Sequence, residues 1–301
     1  MRILVILFSF FFSCGLFAQS GNAEQKWPRK LPYGTVIIPK LNILMDQYEV
    51  SVGNWFAFIY YTSLNSGNAE EVLSYFPDQI KLPLKYRGVF EKYKSIYTSA
   101  LYLDASNFQI ALNKGVFPWA GKTASLEENQ LFSYPIVGVN YDQVIEYMLW
   151  IEEGIYKDKN IRKLENDGYD VNVRLITENE WQTIAPIVGL RDIGNSTVNP
   201  DSVNTHGCYL INVRYLEGCE SMEKLSENYG DETFPVGAFF PDTMGLYDIY
   251  GNVAEMTMTE GICVGGSYFH WGRMAFPDRK IEFNSGEKWL GFRCVYELVQ
   301  K

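Results

Sequence analysis

From Pro186 onward the chain offers only short apolar runs between turn formers. Residues 186–245 are crowded with Gly, Asn, Asp and Pro, and the stretch that follows alternates brief apolar segments with glycine turns. Turn formers at that density interrupt both the helical and the strand repeat. This half therefore reads as long irregular structure rather than a regular array. No internal repeat or low-complexity tract relieves it. The material for a core is still ample, because 47% of the 301 residues are hydrophobic and 16% are aromatic. That composition excludes a disordered chain and a coiled coil.

Regular elements concentrate earlier. Thr35 to Ile38 reads as a first strand and Met45 to Val50 as a second. Ser51 is a candidate N-cap for a helix whose apolar face is Trp55, Phe56 and Ile59. Residues 62–130 show no dominant periodicity, only short helical stretches at Ala69 to Phe76 and Phe108 to Leu112. They are expected to elaborate a single domain over 35–297, preceded by a polar leader arm over 19–34. Asn140 caps a helix carrying Val144, Met148 and Ile151. Thr177 and Glu180 form a capping box that opens another, limited by Pro186.

The chain begins with Arg2, an apolar run from Ile3 to Phe12 and a small residue at Ala18, the pattern of a secretory signal peptide over residues 1–18. The run is shorter than the roughly 20 residues a bilayer span needs. Acylation of Cys14 is the rival reading. No later segment reads as a transmembrane helix, so the expected location is extracytoplasmic: periplasmic, outer-membrane associated or secreted. In an oxidising compartment Cys208, Cys219, Cys263 and Cys294 are disulfide candidates. A Cys208–Cys219 bridge would close a short loop, and Cys263 and Cys294 could bridge neighbouring strands. The net charge of -10 argues against a nucleic-acid partner, and a total of 2 histidines argues against a histidine-rich metal enzyme.

The order of short motifs resembles the sulfatase-modifying-factor, or formylglycine-generating-enzyme-like, superfamily. The motifs are Tyr48-Glu49-Val50-Ser51, Tyr134 to Val139, Arg174 to Trp181, Phe234 to Gly237, Gly245 to Met256, Gly265-Gly266-Ser267-Tyr268 and Gly291-Phe292-Arg293. The resemblance implies an α+β fold, the C-type-lectin-like variant of this family, with much irregular structure.

The same resemblance defines what is missing. Active members place two copper-binding cysteines shortly after the "G-G-S" turn, because copper(I) prefers soft sulfur ligands. Here that stretch runs Ser267 to Pro277 without a cysteine. His270 stands near the first thiolate position, and the second has no sulfur counterpart. Copper is therefore not expected, even from His270 with Met274. Related iron-dependent sulfoxide synthases need several histidines, more than His206 and His270 supply. The segment Gly265 to Tyr268, with Arg273 and Ala275, resembles in part the "G-G-S-W-x-D-R-A" of gliding-motility and type IX secretion lipoproteins, a non-catalytic branch.

Ser267, Tyr268, His270, Trp271 and Arg273 form a candidate groove, with Tyr209, Tyr215 and Phe269 as further aromatics and Arg191 and Arg214 as further cations. The family's departures at Ala254, Met256 and Pro277 imply a reshaped floor beneath it. Calcium is implied at Asp248 and Glu255 by side chain and at Ile249, Gly251 and Val253 by carbonyl. A second calcium site is implied at Asn212, Val213, Asn228 and Gly230. The leading functional expectation is a non-catalytic binding or scaffold protein of the envelope, within a secretion or gliding apparatus and with protein partners. The alternatives are a calcium-dependent, lectin-like glycan binder and an atypical oxidase acting on a sulfatase cysteine.

Overall fold

The computed structural model describes residues 27, 31–32, 34–66, 68–101, 126–155, 159–185, 190–191, 197–198, 210–214, 232–239 and 241–301. Its centre is an antiparallel sheet of four strands in the order β1-β2-β10-β3. The strands are β1 (Thr35–Ile38), β2 (Ile43–Asp46), β3 (Tyr169–Arg174) and β10 (Val295–Gln300). Val295 stands opposite Met45 on one side and Arg174 on the other, so the last strand closes the sheet between the first pair and the middle of the chain.

Side chains alternate across a strand, and this sheet uses both faces. Leu44, Val171, Val173, Tyr296 and Leu298 enter a large core. Ile38, Ile43, Met45 and Val295 enter a smaller one. The large core receives α1 (Val52–Asn65), α2 (Ala69–Ser74), α3 (Leu84–Leu101) and α5 (Tyr141–Ile155). Aromatic contacts dominate it: Trp55 stacks on Tyr147 at 5.5 Å and meets Phe292 edge-on at 6.0 Å, while Phe56 stacks on Phe90 at 4.8 Å. Trp27 and Leu31 pack against the same core, so the expected leader arm is anchored at those two points.

The other helices are α4 (Leu126–Leu131), α6 (Lys159–Asn166) and α7 (Glu178–Ile184). Two short strands, β4 (Leu190–Arg191) and β5 (Thr197–Val198), pair with each other. A second four-stranded sheet runs β8 (Ile281–Glu282), β7 (Ile262–Val264), β6 (Ala254–Met256), β9 (Leu290–Gly291). Its β6–β9 pair is parallel.

Local signals explain several boundaries. The Ser51 side chain accepts from Asn54 N at the start of α1. The Asn140 side chain accepts from Gln143 N at the start of α5. Both halves of the Thr177–Glu180 box are present, and α7 ends at Ile184. Pro186 and Phe108 to Leu112 lie outside the described residues. Two expectations need correction. The second strand spans Ile43–Asp46 rather than 45–50, because Val50 N and O bond instead to Phe292 O and Ile136 N. The stretch read as aperiodic contains α3, whose buried face is Tyr86, Phe90, Tyr93 and Tyr97.

Candidate functional site: a buried carboxylate centre beneath an exposed aromatic turn

Arg293, from the Gly-Phe-Arg motif, ends in the interior with its side chain 0% exposed. Its Nε and Nη2 donate to Glu255 Oε1 at 2.9 and 2.7 Å. The remaining donors reach the carbonyls of Asp46, Gln47 and Tyr247. Five bonds of that kind hold the β2 exit, the 247 turn and β6 around one guanidinium.

Arg293 faces more than one carboxylate. Glu49 and Asp248 are also buried and also feel its charge. Glu49 Oε1 accepts from Asn252 Nδ2 at 2.9 Å, and Asp248 Oδ2 accepts from Gly237 N at 2.6 Å. Burial raises all three carboxyls: Glu49 well above its usual range, Asp248 to about 6, and Glu255 upward against the pull of Arg293. One guanidinium cannot neutralise three buried carboxylates, so the centre must hold protons or a further cation.

The turn through Asp248 carries the residues at which calcium is implied. Asp248, Gly251 and Asn252 all have positive φ, at 52°, 84° and 55°. A Cβ on Gly251 would lie 2.6 Å from Asn212 O, so only glycine permits this approach. Asp248 Oδ1 and Glu255 Oε2 are buried without a hydrogen-bond partner. The carbonyls of Ile249, Gly251 and Val253 accept no hydrogen bond from another described residue. Carboxylate and carbonyl oxygens of this kind are the ligand types calcium takes. Among the described residues no group of three His, Cys, Asp or Glu side chains is arranged to hold a metal, so carbonyls would supply much of any such shell. At the second implied site, the Asn212 amide donates to Glu232 O and Asn252 Oδ1. Its Oδ1 is buried and unpartnered, and Val213 is buried beside it. Asn228 and Gly230 lie outside the described residues.

The candidate groove divides. Ser267 and Tyr268 are buried and structural: the Ser267 hydroxyl bonds His270 Nδ1 at 2.7 Å and accepts from Phe269 N, and the Tyr268 hydroxyl donates to Lys288 O. His270 meets Trp289 edge-on at 4.6 Å. Burial pulls its pKa down to about 4, which leaves a neutral imidazole at neutral pH. Phe269 and Trp271 project outward, 44% and 37% exposed. Arg214 lies over the Trp271 ring at 4.7 Å, and Lys288 over Phe269 at 5.4 Å. Arg273 is exposed in the following 3-10 turn. No carboxylate of the described residues pairs with Arg214, Arg273 or Lys288. The expected floor residues Ala254 and Met256 are both 0% exposed in the large core, so they do not line an open groove. Tyr209 and Tyr215 lie outside the described residues, and only the backbone of Arg191 is described.

The expected bridge between Cys263 and Cys294 is not formed, and both thiols are free and buried. They belong to different surroundings. Cys263 sits on β7 and donates to Ile281 O, whereas Cys294 precedes β10 beside Asp46. Burial pushes both thiols up, so both are protonated at neutral pH. Cys208 and Cys219 lie outside the described residues.

In the sequence Glu49 and Arg293 are only letters of the first and last motifs. Their shared centre joins segments more than 240 positions apart, and no local pattern encodes it.

An α+β scaffold with two four-stranded sheets, held around a buried arginine–carboxylate centre, defines the class of the fold. The chain belongs to the family of sulfatase-modifying factor enzyme 1-like domains, which matches residues 12–298. Among solved structures it is similar to PvdO from Pseudomonas aeruginosa, at 18% identity and a TM-score of 0.45 over 85% of this chain and 80% of that one. It is also similar to CarF, at 13% identity and a TM-score of 0.41 over 85% and 86% of the two chains. Treponema denticola variable protein 1 matches at 18% identity and a TM-score of 0.35 over 55% and 72%. No curated protein matches it in sequence.

Proposed function

We propose that this chain is an extracytoplasmic, non-catalytic binding or scaffold protein of the family, part of a secretion or gliding apparatus. One observation carries the reading. Where the resemblance expects a copper thiolate, this chain has His270, a neutral imidazole tied to Ser267 and packed on Trp289. The same turn projects Phe269 and Trp271, each carrying a cation without a carboxylate partner. Exposed Trp and Arg are the residue types that anchor protein interfaces. These features support a turn that contacts a partner, and the expected redox ligands are missing from its sequence.

Calcium on Asp248, Glu255 and the carbonyls of Ile249, Gly251 and Val253 would neutralise the buried charge beneath that turn. Its contribution is structural: Gly265 O accepts from Gly251 N, which links the calcium turn to the "G-G-S" turn. Millimolar calcium is expected to raise the melting temperature and chelator to lower it, and Glu255→Gln to abolish the difference. A melting temperature indifferent to both additions would refute the site.

The test of the role is a crosslinked pull-down of the tagged protein from its native envelope, read by mass spectrometry. Secretion or motility components at near-stoichiometric yield, lost with Trp271→Ala, are expected. Recovery of only sulfatases or glycan-handling proteins would overturn the scaffold role.

A further inference from the structure

The two most exposed large apolar side chains of the described residues are not part of the aromatic turn. Ile80 is 81% exposed and Leu84 78%. Ile80 lies in the 3-10 turn Gln79–Lys81 and Leu84 opens α3. Between them Leu82 is buried, so the backbone is anchored while the flanking residues protrude. Arg87 braces this knuckle by donating to Leu82 O and Ile80 O, bonds that leave its charge unneutralised. Residues 79–94 carry five basic side chains (Lys81, Lys85, Arg87, Lys92, Lys94) against Glu91 alone, in a chain of net charge -10; Lys85 is paired with Glu232, which leaves Arg87 and Lys94 as the cations the docking face relies on.

Beside the knuckle lies an open cavity of about 470 Å³, lined by Lys81, Lys94, Asp78, Asn140, Gln143 and Ser285 among others. Lys81 is paired with Glu287, whereas Lys94 has no carboxylate partner among the described residues. The volume is within the range of small-ligand sites.

We propose that this face docks on an anionic phospholipid surface, with Ile80 and Leu84 entering the interface and Lys94 and the cavity receiving a headgroup phosphate. Convex aliphatic side chains this exposed gain little from a flat protein partner, and Leu is under-represented among interface anchors. Shallow insertion into acyl chains, with basic side chains at headgroup level, uses both features. The inference stands apart from the binding role assigned to the Phe269–Trp271 turn.

The experiment is co-sedimentation of the whole chain with vesicles of phosphatidylcholine, alone or mixed with phosphatidylglycerol. The variants are Ile80→Asp with Leu84→Asp, and Lys94→Glu. The apolar N-terminal run is common to all three proteins, so differences among them report only this face. Unchanged melting temperatures verify that the exposed substitutions leave the fold intact. Binding to the mixed vesicles should exceed binding to phosphatidylcholine by roughly tenfold or more. The double variant should lose roughly tenfold in binding, and Lys94→Glu should lose the preference for the anionic lipid. Equal sedimentation of wild type and double variant overturns the proposal, as does no binding at all. Capture of an acidic envelope protein through this face, without vesicle binding, assigns it to a protein and also overturns it.

Discussion

Arg293 shows what one residue can hold together. Its five donors are all used, and Glu49, Asp248 and Glu255 lie within its field. Arg293→Met should cost about 3–5 kcal/mol, because it strands buried carboxylates without their cation. A urea titration that finds less than about 1 kcal/mol would show that the carboxyls are already neutral. Asp46 makes a different prediction. Burial raises its pKa to about 6, against the bonds from Tyr296 and Cys294 N. The folded state therefore keeps a proton that the unfolded chain releases, and stability falls as pH rises from about 4 to about 6. Glu178 and Glu180, whose pKa values are lowered, act oppositely, but their contribution is complete near their ordinary value of 4.5. His270, whose pKa burial lowers to about 4, acts oppositely over the same window, so Asp46 is read by difference. In chelator, the stability of the wild type minus that of Asp46→Asn should drop between pH 4.5 and 6.5 by about 2 kcal/mol. A difference that rises over that window contradicts the assignment.

At the scale of elements, the short-range signals were legible and the aromatic ones were not. Ser51, Asn140 and Thr177 cap their helices because a cap needs only a side chain and an N–H three residues away. Arg174 reinforces the last of these by a paired contact with Glu180 at 2.7 and 2.8 Å. Thr177→Ala should cost about 1 kcal/mol, read as a shift in urea midpoint with unchanged slope. The helix α3 escaped notice because its buried positions are mostly tyrosines, spaced among lysines and serines. A tyrosine at position i, i+4 or i+7 reads as amphipathic until its ring is seen inside the core. The turn at Gly251 is the reverse case, a motif plain in sequence whose necessity is spatial. Gly251→Ala must strain a positive φ and displace Asn212 O, at a cost of about 2 kcal/mol or more, and calcium-dependent stabilisation should vanish with it.

Across the whole molecule, one sheet serves two cores. Leu44 faces the large core and Met45 the small one, so neither core can melt without exposing the strands of the other. Near-ultraviolet and far-ultraviolet circular dichroism should therefore trace one coincident thermal transition, and two separated transitions would show that the cores are independent. The sequence by itself determined the order of the family motifs, the helix caps, the glycine-dependent turns and the lack of cysteine after the "G-G-S" turn, since each is a matter of neighbours along the chain. Only the tertiary structure decided that Cys263 and Cys294 stay apart, that Ala254 and Met256 are core rather than groove, and that Glu49, Asp248, Glu255 and Arg293 share one buried centre. Those outcomes depend on burial and on contacts between distant segments, where charge, desolvation and packing act on groups that no local pattern brings together.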